Sequence, residues 1–535
     1  MRFALFLAAL FVACSSSNST NLSGDAKDVV SDAGDETHDV PVGEEVTSLS
    51  DTRADDGASI EERAGDAKLS GDGVVSQDSE VCLACPDVQL PDVDFQSLPR
   101  MPAGKTFTTR YAASAVKKKI TPDHPMYMGG FGFCGGAPDK CRISEGVHDD
   151  LYANIVLICD TEQEECIGFA GVDSVGLVHF DCDYIHLLVQ KYVYEELGIY
   201  FEGKRLFVSS SHSHGAPDTT GLWGPMFGAG RDEQYIAFLR EQVAQGVVEA
   251  FKTLEDAVLT YGVGSSPNST DGSEPVIKDE EIWVIKGERP QGGTIFTLTR
   301  WNSHPTAYGS KNNGLTADYV GAFRKFMEEE YGGVSVFLNG NLGGTYPDRP
   351  TSCGLQEEAF PDGYHDPDLT PVDHMRTTCT GYQLFQNTKK ALTSTKPIQE
   401  TGVEFWHGKF GFHPDNGTLL LAAKLAPVPF EWVDIDDPLS EMKTEFSAAR
   451  IGNLFFISTP GESFPAFSKP VVDMLKEAGY EEVIVLGITQ DWLGYLLTEE
   501  QWRDPMLSYN QGLSPGAKIH QAYIDAVKHF ILGQQ

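Results

Sequence analysis

Two histidines, His212 and His214, lie two positions apart directly after the short apolar run 206–208. Side chains two positions apart on an extended strand leave on the same face, so we expect both imidazoles to point at one spot beyond the strand. Neutral imidazole is a common zinc ligand. Two hydrogen-bonded histidines in a polar loop would give the same pattern, so the rest of the chain has to separate the two interpretations.

Three further residues, His304, Glu462 and Tyr495, also follow apolar runs of strand length. Ligands of open α/β sheets bind outside the carboxyl ends of the strands, which is where these residues are expected. His212, His304 and Glu462 form a two-histidine, one-carboxylate set, which many catalytic zinc sites use while leaving one position for water. The preceding runs are residues 294–298, 454–457 and 483–486.

The elements that must position these residues alternate along the chain. Short apolar runs predict strands, and apolar residues that recur every three or four positions predict helices. This alternation favours an α/β fold, with layered mixed β-sheets flanked by helices. The predicted strands are 154–158, 167–172, 282–285, 294–298, 334–338, 453–457 and 483–486, and the predicted helices are 183–197, 236–254, 318–331, 466–478 and 518–531.

Net charge limits the class of partner. The chain has 535 residues and a formal net charge of −38, which repels phosphate backbones. Nucleic acid is therefore not an expected partner. The length suffices for one large domain or several smaller ones.

The first residues resemble a bacterial lipoprotein signal. Arg2 precedes an apolar stretch, 3–13, that is too short to span a bilayer as a mature helix, and Cys14 follows it. In such signals the chain is cut before the cysteine, which then carries the lipid. We therefore expect lipidation at Cys14, and the absence of an acidic residue at Ser15 favours the outer membrane. An ordinary secretory signal cut elsewhere is the alternative.

The segment that follows is acidic and polar. Residues 16–80 contain no aromatic residue, so they cannot bury enough apolar surface to offset the entropy of ordering. We interpret residues 14–100 as a disordered tether, with a binding tail for a basic partner as the alternative. The predicted organisation is a signal peptide at 1–13, this tether, and a folded zinc hydrolase domain at 101–535.

Cysteine usage agrees with export. An exported chain permits disulfides, although the sequence leaves their pairing open. Cys159 and Cys166 flank an acidic turn and are expected to staple a hairpin, while Cys182 is expected to be buried and free. The other cysteines beyond Cys14 are Cys82 with Cys85, Cys134 with Cys141, and Cys353 with Cys379.

Eight short motifs follow one another along the chain from about residue 102 to the last helix: Ile120-Thr-Pro122, Gly146-Val-His-Asp-Asp-Leu-Tyr-Ala153, Ser211-His-Ser-His-Gly-Ala-Pro217, Asn302-Ser-His-Pro-Thr306, Thr316-Ala-Asp318, Asn341-Leu-Gly343, Pro460-Gly-Glu462 and Gly494-Tyr-Leu-Leu-Thr-Glu-Glu500. In this order they resemble the catalytic domain of the neutral ceramidase family. The resemblance implies zinc held by His212, His304, Glu462 and Tyr495, with His214 helping to stabilise the oxyanion of the reaction.

The nucleophile motif departs from the family pattern. The family follows Asn-x-Gly with Asp-x-Ser-Pro, whereas this chain reads Gly343-Gly-Thr-Tyr-Pro347. Tyr346 therefore stands in the place of the nucleophilic serine, and Gly344 stands in the place of the aspartate. Zinc lowers the pKa of a bound water to roughly 7, so we favour direct attack by that water. Thr345 as nucleophile, with the loop shifted by one residue, is a second option.

The resemblance implies a zinc-dependent amidohydrolase that acts on N-acyl lipids, ceramide-like, or on related small amides. Zinc would polarise the carbonyl, His214 would donate to the oxyanion, and Tyr346 could donate a proton to the leaving group. A zinc esterase on the same scaffold is one alternative. A surface lipoprotein that holds zinc without chemistry is another, because structural zinc sites are closed by four protein ligands and Tyr495 would be the fourth.

Overall fold

Strands from distant parts of the sequence pair into sheets in the computed structural model, which describes residues 88–134, 138–225, 230–270, 278–355, 368–420, 430–432 and 440–534. The predicted signal peptide, Cys14, Cys82, Cys85 and most of the predicted tether lie outside these residues. The expectations about export and lipidation therefore stay predictions.

Twenty strands occur in the described residues. In chain order they are β1 Tyr111–Lys119, β2 Gly146–Val147, β3 Tyr152–Asp160, β4 Glu165–Val172, β5 Leu206–Ser210, β6 Glu255–Ser265, β7 Ser269–Thr270, β8 Glu281–Glu288, β9 Thr294–Trp301, β10 Gly314–Leu315, β11 Val334–Asn339, β12 Thr345–Tyr346, β13 Lys396–Pro397, β14 Val403–Phe412, β15 Glu431–Trp432, β16 Met442–Ile451, β17 Leu454–Ser458, β18 Glu462–Ser463, β19 Glu482–Leu486 and β20 Tyr495–Leu496.

Eight α-helices occur in the same part of the chain. They are α1 His179–Leu197, α2 Glu233–Thr253, α3 Tyr319–Tyr331, α4 Pro371–Ala391, α5 Pro465–Glu477, α6 Glu499–Arg503, α7 Ser508–Gly512 and α8 Lys518–Leu532. None of these helices has the combination of length and apolar character that a bilayer crossing requires.

Two mixed sheets form the framework. The larger has the order β11-β9-β8-β6-β1-β3-β4-β5, with β13 beside β6, and the smaller has the order β14-β16-β17-β19, with β15 beside β16. Strands β4 and β5, β9 and β11, and β17 and β19 pair in parallel. Their carboxyl ends therefore fall at common sheet edges, and the loops that leave these edges carry the predicted site residues.

The layers follow from alternation along the central strands. On β3, Ile155 and Leu157 face helices α1 and α2, whereas Val156 and Ile158 face the second sheet. Strand β17 repeats the pattern, because Phe456 packs between the sheets while neighbouring side chains pack against α5 and α8. A strand buried on both faces reads as one continuous apolar run. The predicted fold class, layered mixed β-sheets flanked by helices, is confirmed.

The packed region begins before residue 101. A short 3-10 helix spans Phe95–Ser97, and the Arg100 guanidinium lies 2.6 Å from the Glu165 carboxylate. Phe95 also packs edge-on against Tyr194 of α1, with ring centroids 5.6 Å apart. Residues 95–100, which the sequence analysis placed in the tether, therefore contact the domain.

Helix α4 was missed by the sequence analysis because threonine occupies much of its buried face. Thr377, Gly381, Leu384 and Thr388 recur every three or four positions and are all buried. The pattern of burial is helical, but the residue types are not strongly apolar. The sequence did contain a helix start signal. Thr370 and Asp373 form a capping box, and Pro371 occupies the first helical position.

Three disulfides lie within the described residues. They join Cys134 to Cys141, Cys159 to Cys166, and Cys353 to Cys379. The bond between Cys159 and Cys166 links directly paired positions of β3 and β4, so the predicted hairpin staple is confirmed. Cys182 is free and fully buried, as expected.

Candidate metal centre

His212 and His214 do meet, but by a different backbone path from the predicted one. Strand β5 ends at Ser210, and His212 has a φ of 65°, so the pair does not lie on an extended strand. The chain turns because the amide of His212 donates to the carbonyl of Ser174 at 2.9 Å. The Nε2 atoms of His212 and His214 nevertheless lie 3.3 Å apart. The expectation of extended geometry was wrong, and the expected convergence is observed.

His304 is fixed by Thr345, the first residue of β12. Its backbone amide and its Nδ1 both donate to the carbonyl of Thr345, at 3.1 Å and 2.8 Å. Nδ1 of His212 donates in the same way to the carbonyl of Val175. In each ring the N–H is thereby placed on Nδ1, and the lone pair of Nε2 is left to face the site.

Glu462 and Tyr495 are neighbours on two short parallel strands. They are direct partners in the pairing of β18 with β20. Oε2 of Glu462 lies 3.0 Å from Nε2 of His304 and 3.4 Å from Nε2 of His212. Oε1 accepts a hydrogen bond of 2.9 Å from the indole of Trp492. The ring centroids of Tyr495 and His304 lie 6.2 Å apart.

The donor set fits a divalent transition metal such as zinc. Two Nε2 lone pairs and one carboxylate oxygen converge, and each of these three ligand groups has its other polar atom hydrogen-bonded to the protein. Zinc sites use these ligand types, and such second hydrogen bonds orient ligands and raise their basicity. The ligand atoms of His212, His214 and His304 also lie within 4.8 Å of one another.

His214 differs from the other two histidines. Its Nδ1 has no hydrogen-bond partner among the described residues, so no backbone acceptor places the proton on that atom. The neutral tautomer with the proton on Nε2 is then the favoured one, because it avoids an unpaired buried N–H. Burial, with the neighbouring His212 and His304, holds the pKa of His214 well below its usual range. His214 is thus suited to donate a hydrogen bond as a neutral imidazole.

Electrostatics favour a charged carboxylate and a neutral phenol in the absence of a metal. Burial opposes ionisation of Glu462, but His212 and His304 overcome it and hold the pKa of its carboxyl well below its usual range. Burial and the nearby Glu462 raise the pKa of Tyr495 well above its usual value. A phenolate at Tyr495 therefore requires a cation beside it.

The loop at residues 343–347 covers one side of the site. The hydroxyl of Thr345 donates to the carbonyl of Leu342 at 2.8 Å, and the Thr345 side chain is buried. The ring of Tyr346 stacks on that of His304, with centroids 5.0 Å apart and an interplanar angle of 22°. Tyr346 is also among the groups that raise the pKa of Tyr495, after burial and Glu462. Tyr346 therefore lies beside the candidate ligand His304, while the hydroxyl of Thr345 is engaged with its own backbone turn.

Sequence reasoning missed the groups that support the ligands. Trp492 lies three residues before Tyr495, and this proximity was the available signal. The carbonyls of Val175 and Thr345 gave no signal, because every residue carries a carbonyl. These groups decide where each Nε2 points.

Replacing Trp492 by phenylalanine tests the support of Glu462. The variant removes the indole N–H that binds Oε1, so we expect metal affinity to fall by roughly 10- to 100-fold. Competition with a chromogenic chelator would measure the change. Trp406→Phe, a tryptophan packed against Phe455 in the second sheet, is the matched control and should bind metal normally. Equal affinity in the Trp492 and Trp406 variants would contradict this role.

Solved ceramidases share this architecture. The neutral ceramidase from Pseudomonas aeruginosa superposes with a TM-score of 0.61 and 15% identity, over 79% of this chain and 74% of that chain. A ceramidase complexed with C2 gives a TM-score of 0.58 and 14% identity, over 78% and 74%. No protein-family model and no curated protein matches the chain. The resemblance predicted from the motifs is confirmed at the level of structure, and the chain has a neutral ceramidase-like fold.

Proposed function

We propose that this protein is a zinc-dependent amidohydrolase that cleaves N-acyl lipids, ceramide-like, or related amides. The observation that carries the proposal is the convergence of His212 Nε2, His304 Nε2 and Glu462 Oε2, with both Nδ1 atoms tied to backbone carbonyls. Tyr495 would complete the ligand set. The similarity of the fold to ceramidases that act on lipid amides supports this substrate class, and it is an analogy at the level of the fold.

In amide hydrolysis, different residues of the chain would stabilise the oxyanion and protonate the leaving amine. When bound, zinc supplies a Lewis acid and lowers the pKa of a coordinated water to roughly 7. Water adds to the amide carbonyl, and the N–H of His214 donates to the oxygen on which negative charge develops. The C–N bond would then break, the amine would leave with a proton supplied by the protein, and the acyl part would leave as the carboxylic acid once the added water has given up a proton. We assign this transfer to the hydroxyl of Tyr346, whose ring stacks on that of His304: it would give a proton to the amine and regain one from the added water.

A substrate screen tests the proposal. The full chain, with and without a chelator, would be given N-acyl amides of several acyl lengths and the matching esters. We expect chelator-sensitive release of fatty acid from the amides. Release from esters alone would favour the esterase alternative, and loss of metal with no hydrolysis of any substrate would favour a non-catalytic zinc protein.

Tyr346→Phe separates two roles for this residue. A proton donor would lose roughly 10²-fold or more in rate, whereas a ring that only covers His304 would lose little. We expect the larger loss, with metal content unchanged. Because Thr345 is engaged with Leu342, Thr345→Val should retain activity and serves as the control. An acyl group trapped on residues 343–347 would show that direct attack by water is wrong.

We also propose that the protein is exported and anchored through lipidated Cys14, at the outer membrane. The apolar stretch 3–13 ending at Cys14 supports this location. Wild-type protein expressed in a two-membrane bacterium is expected in the membrane fraction, and Cys14→Ser is expected to release it. Recovery of the wild-type protein only from the soluble fraction would contradict the anchor.

A further inference from the structure

His214 is the one histidine of the candidate centre whose ring is not fixed by a hydrogen bond to a backbone carbonyl. His212 and His304 each donate through Nδ1, whereas Nδ1 of His214 has no partner within the described residues. An oxyanion donor must point at one place to be effective. The orientation of this ring therefore depends on the groups that pack around it.

One part of the chain wraps around His214, and we call it the clamp, defined as residues 127–134 and 138–143. Its two arms pair with each other, since the amide of Met128 donates to the carbonyl of Arg142 at 3.0 Å. The clamp also docks on the chain beyond His214, because the amide of Gly129 donates to the carbonyl of Ala216 at 3.1 Å. A disulfide between Cys134 and Cys141 joins the two arms.

Two clamp residues touch the imidazole itself. The backbone at Gly130 comes so close that a Cβ there would lie 2.3 Å from Cγ of His214, and Gly130 has a φ of 98°. Glycine is required for such an approach. The ring of Phe131 meets His214 edge to face, with centroids 4.6 Å apart and an angle of 78°. These contacts limit how far the imidazole can rotate.

Arg142 connects all of these contacts. Its Nη2 donates to the carbonyls of His214 at 3.1 Å and Asn312 at 2.7 Å, and its Nη1 donates to the carbonyl of Gly129 at 3.1 Å. Its Cζ also lies 5.1 Å from the centre of the Phe131 ring. A planar guanidinium with several donors suits this bridging role, and a lysine ammonium reaches fewer acceptors.

We propose that Arg142 is a positioning residue for His214. Together with the Cys134–Cys141 disulfide, it holds the clamp against the imidazole so that Nε2 faces the metal ligands. The catalytic consequence rests on the proposed hydrolase function, whereas the orientation of the ring does not.

The test compares three variants of the full chain. Arg142→Met removes the three hydrogen bonds, Arg142→Lys keeps the charge, and Cys134→Ser with Cys141→Ser opens the clamp. The matched control is Cys353→Ser with Cys379→Ser, which removes a disulfide elsewhere. The readouts are kcat and KM on the best amide from the screen, metal content, and the ring nitrogen signals of His214 in protein labelled with ¹⁵N-histidine.

We expect kcat of Arg142→Met to fall by about 10- to 10²-fold, because misplacing a catalytic group by about 1 Å has such an effect. KM and metal content should stay unchanged, Arg142→Lys should recover part of the rate, and the control should behave as the wild type. The His214 signals should shift or broaden in Arg142→Met and in the opened clamp. Unchanged His214 signals in both would overturn the proposal, whatever the rates.

The labelled spectra also separate this inference from the proposed function. If the wild type hydrolyses no substrate, the hydrolase proposal fails and the His214 signals alone decide the role of Arg142. If Arg142→Met does not fold, Arg142→Lys and the disulfide variant carry the same comparison. Loss of metal in Arg142→Lys would assign Arg142 a general structural role and overturn its specific role at His214.

Discussion

Replacing His304 by alanine should strip the metal and lower kcat/KM by about 10³-fold or more. The ring supplies Nε2 at 3.0 Å from Oε2 of Glu462, so its loss removes one ligand and leaves the carboxylate with a weaker set of partners. A catalytic metal contributes several kcal/mol of transition-state stabilisation, and about 1.4 kcal/mol corresponds to a tenfold change in rate. Elemental analysis of the purified protein measures the metal directly, without a substrate.

The control for this variant is a histidine remote from the site. His529 is exposed near the end of α8, and His529→Ala should keep one metal per chain and full activity. His212→Ala and Glu462→Ala should behave like His304→Ala, because all three ligand atoms converge on one point. Full metal occupancy in His304→Ala would show that the ligand assignment is wrong.

Replacing Arg324 by methionine should lower the free energy of unfolding by about 3–5 kcal/mol. Its guanidinium binds the carboxylate of Asp173 twice, at 2.9 Å and 2.5 Å, and both side chains are almost fully buried. Removing one partner of such a pair leaves an uncompensated buried charge. Asp173 directly precedes Ser174 and Val175, whose carbonyls hold His212, so metal affinity should fall as well.

Urea titration of the apo- and metal-loaded protein measures both effects. The matched control is Lys469→Met, which breaks the ion pair with Asp473 on the exposed side of α5. That pair should contribute less than about 1 kcal/mol because solvent screens it. Equal stability losses in the Arg324 and Lys469 variants would contradict the structural role of the buried pair.

The amino-acid sequence by itself determined the fold class and the residues that meet at the centre. Strands buried on both faces are continuous apolar runs, so β3, β4, β9 and β17 were visible without a structure. His304 and Glu462 were identifiable because residues with ligand chemistry stand shortly after such runs, within motifs that resemble those of neutral ceramidases. Helix α4 was not predicted, because threonines such as Thr377 fill its buried face and weaken the helical periodicity of apolar residues.

The tertiary structure decided how those residues are aimed. His212 adopts a φ of 65° and donates to the carbonyl of Val175, and His304 donates to that of Thr345. Every residue carries a backbone carbonyl, so its use as an acceptor leaves no mark in the sequence. The stacking of Tyr346 on His304 could likewise not be predicted from the motif at residues 343–347. That motif showed only that tyrosine stands in the place of a serine. The residue types determine which ligand chemistry is available. The direction in which each imidazole points depends on backbone carbonyls that distant segments bring beside it only when the chain has folded.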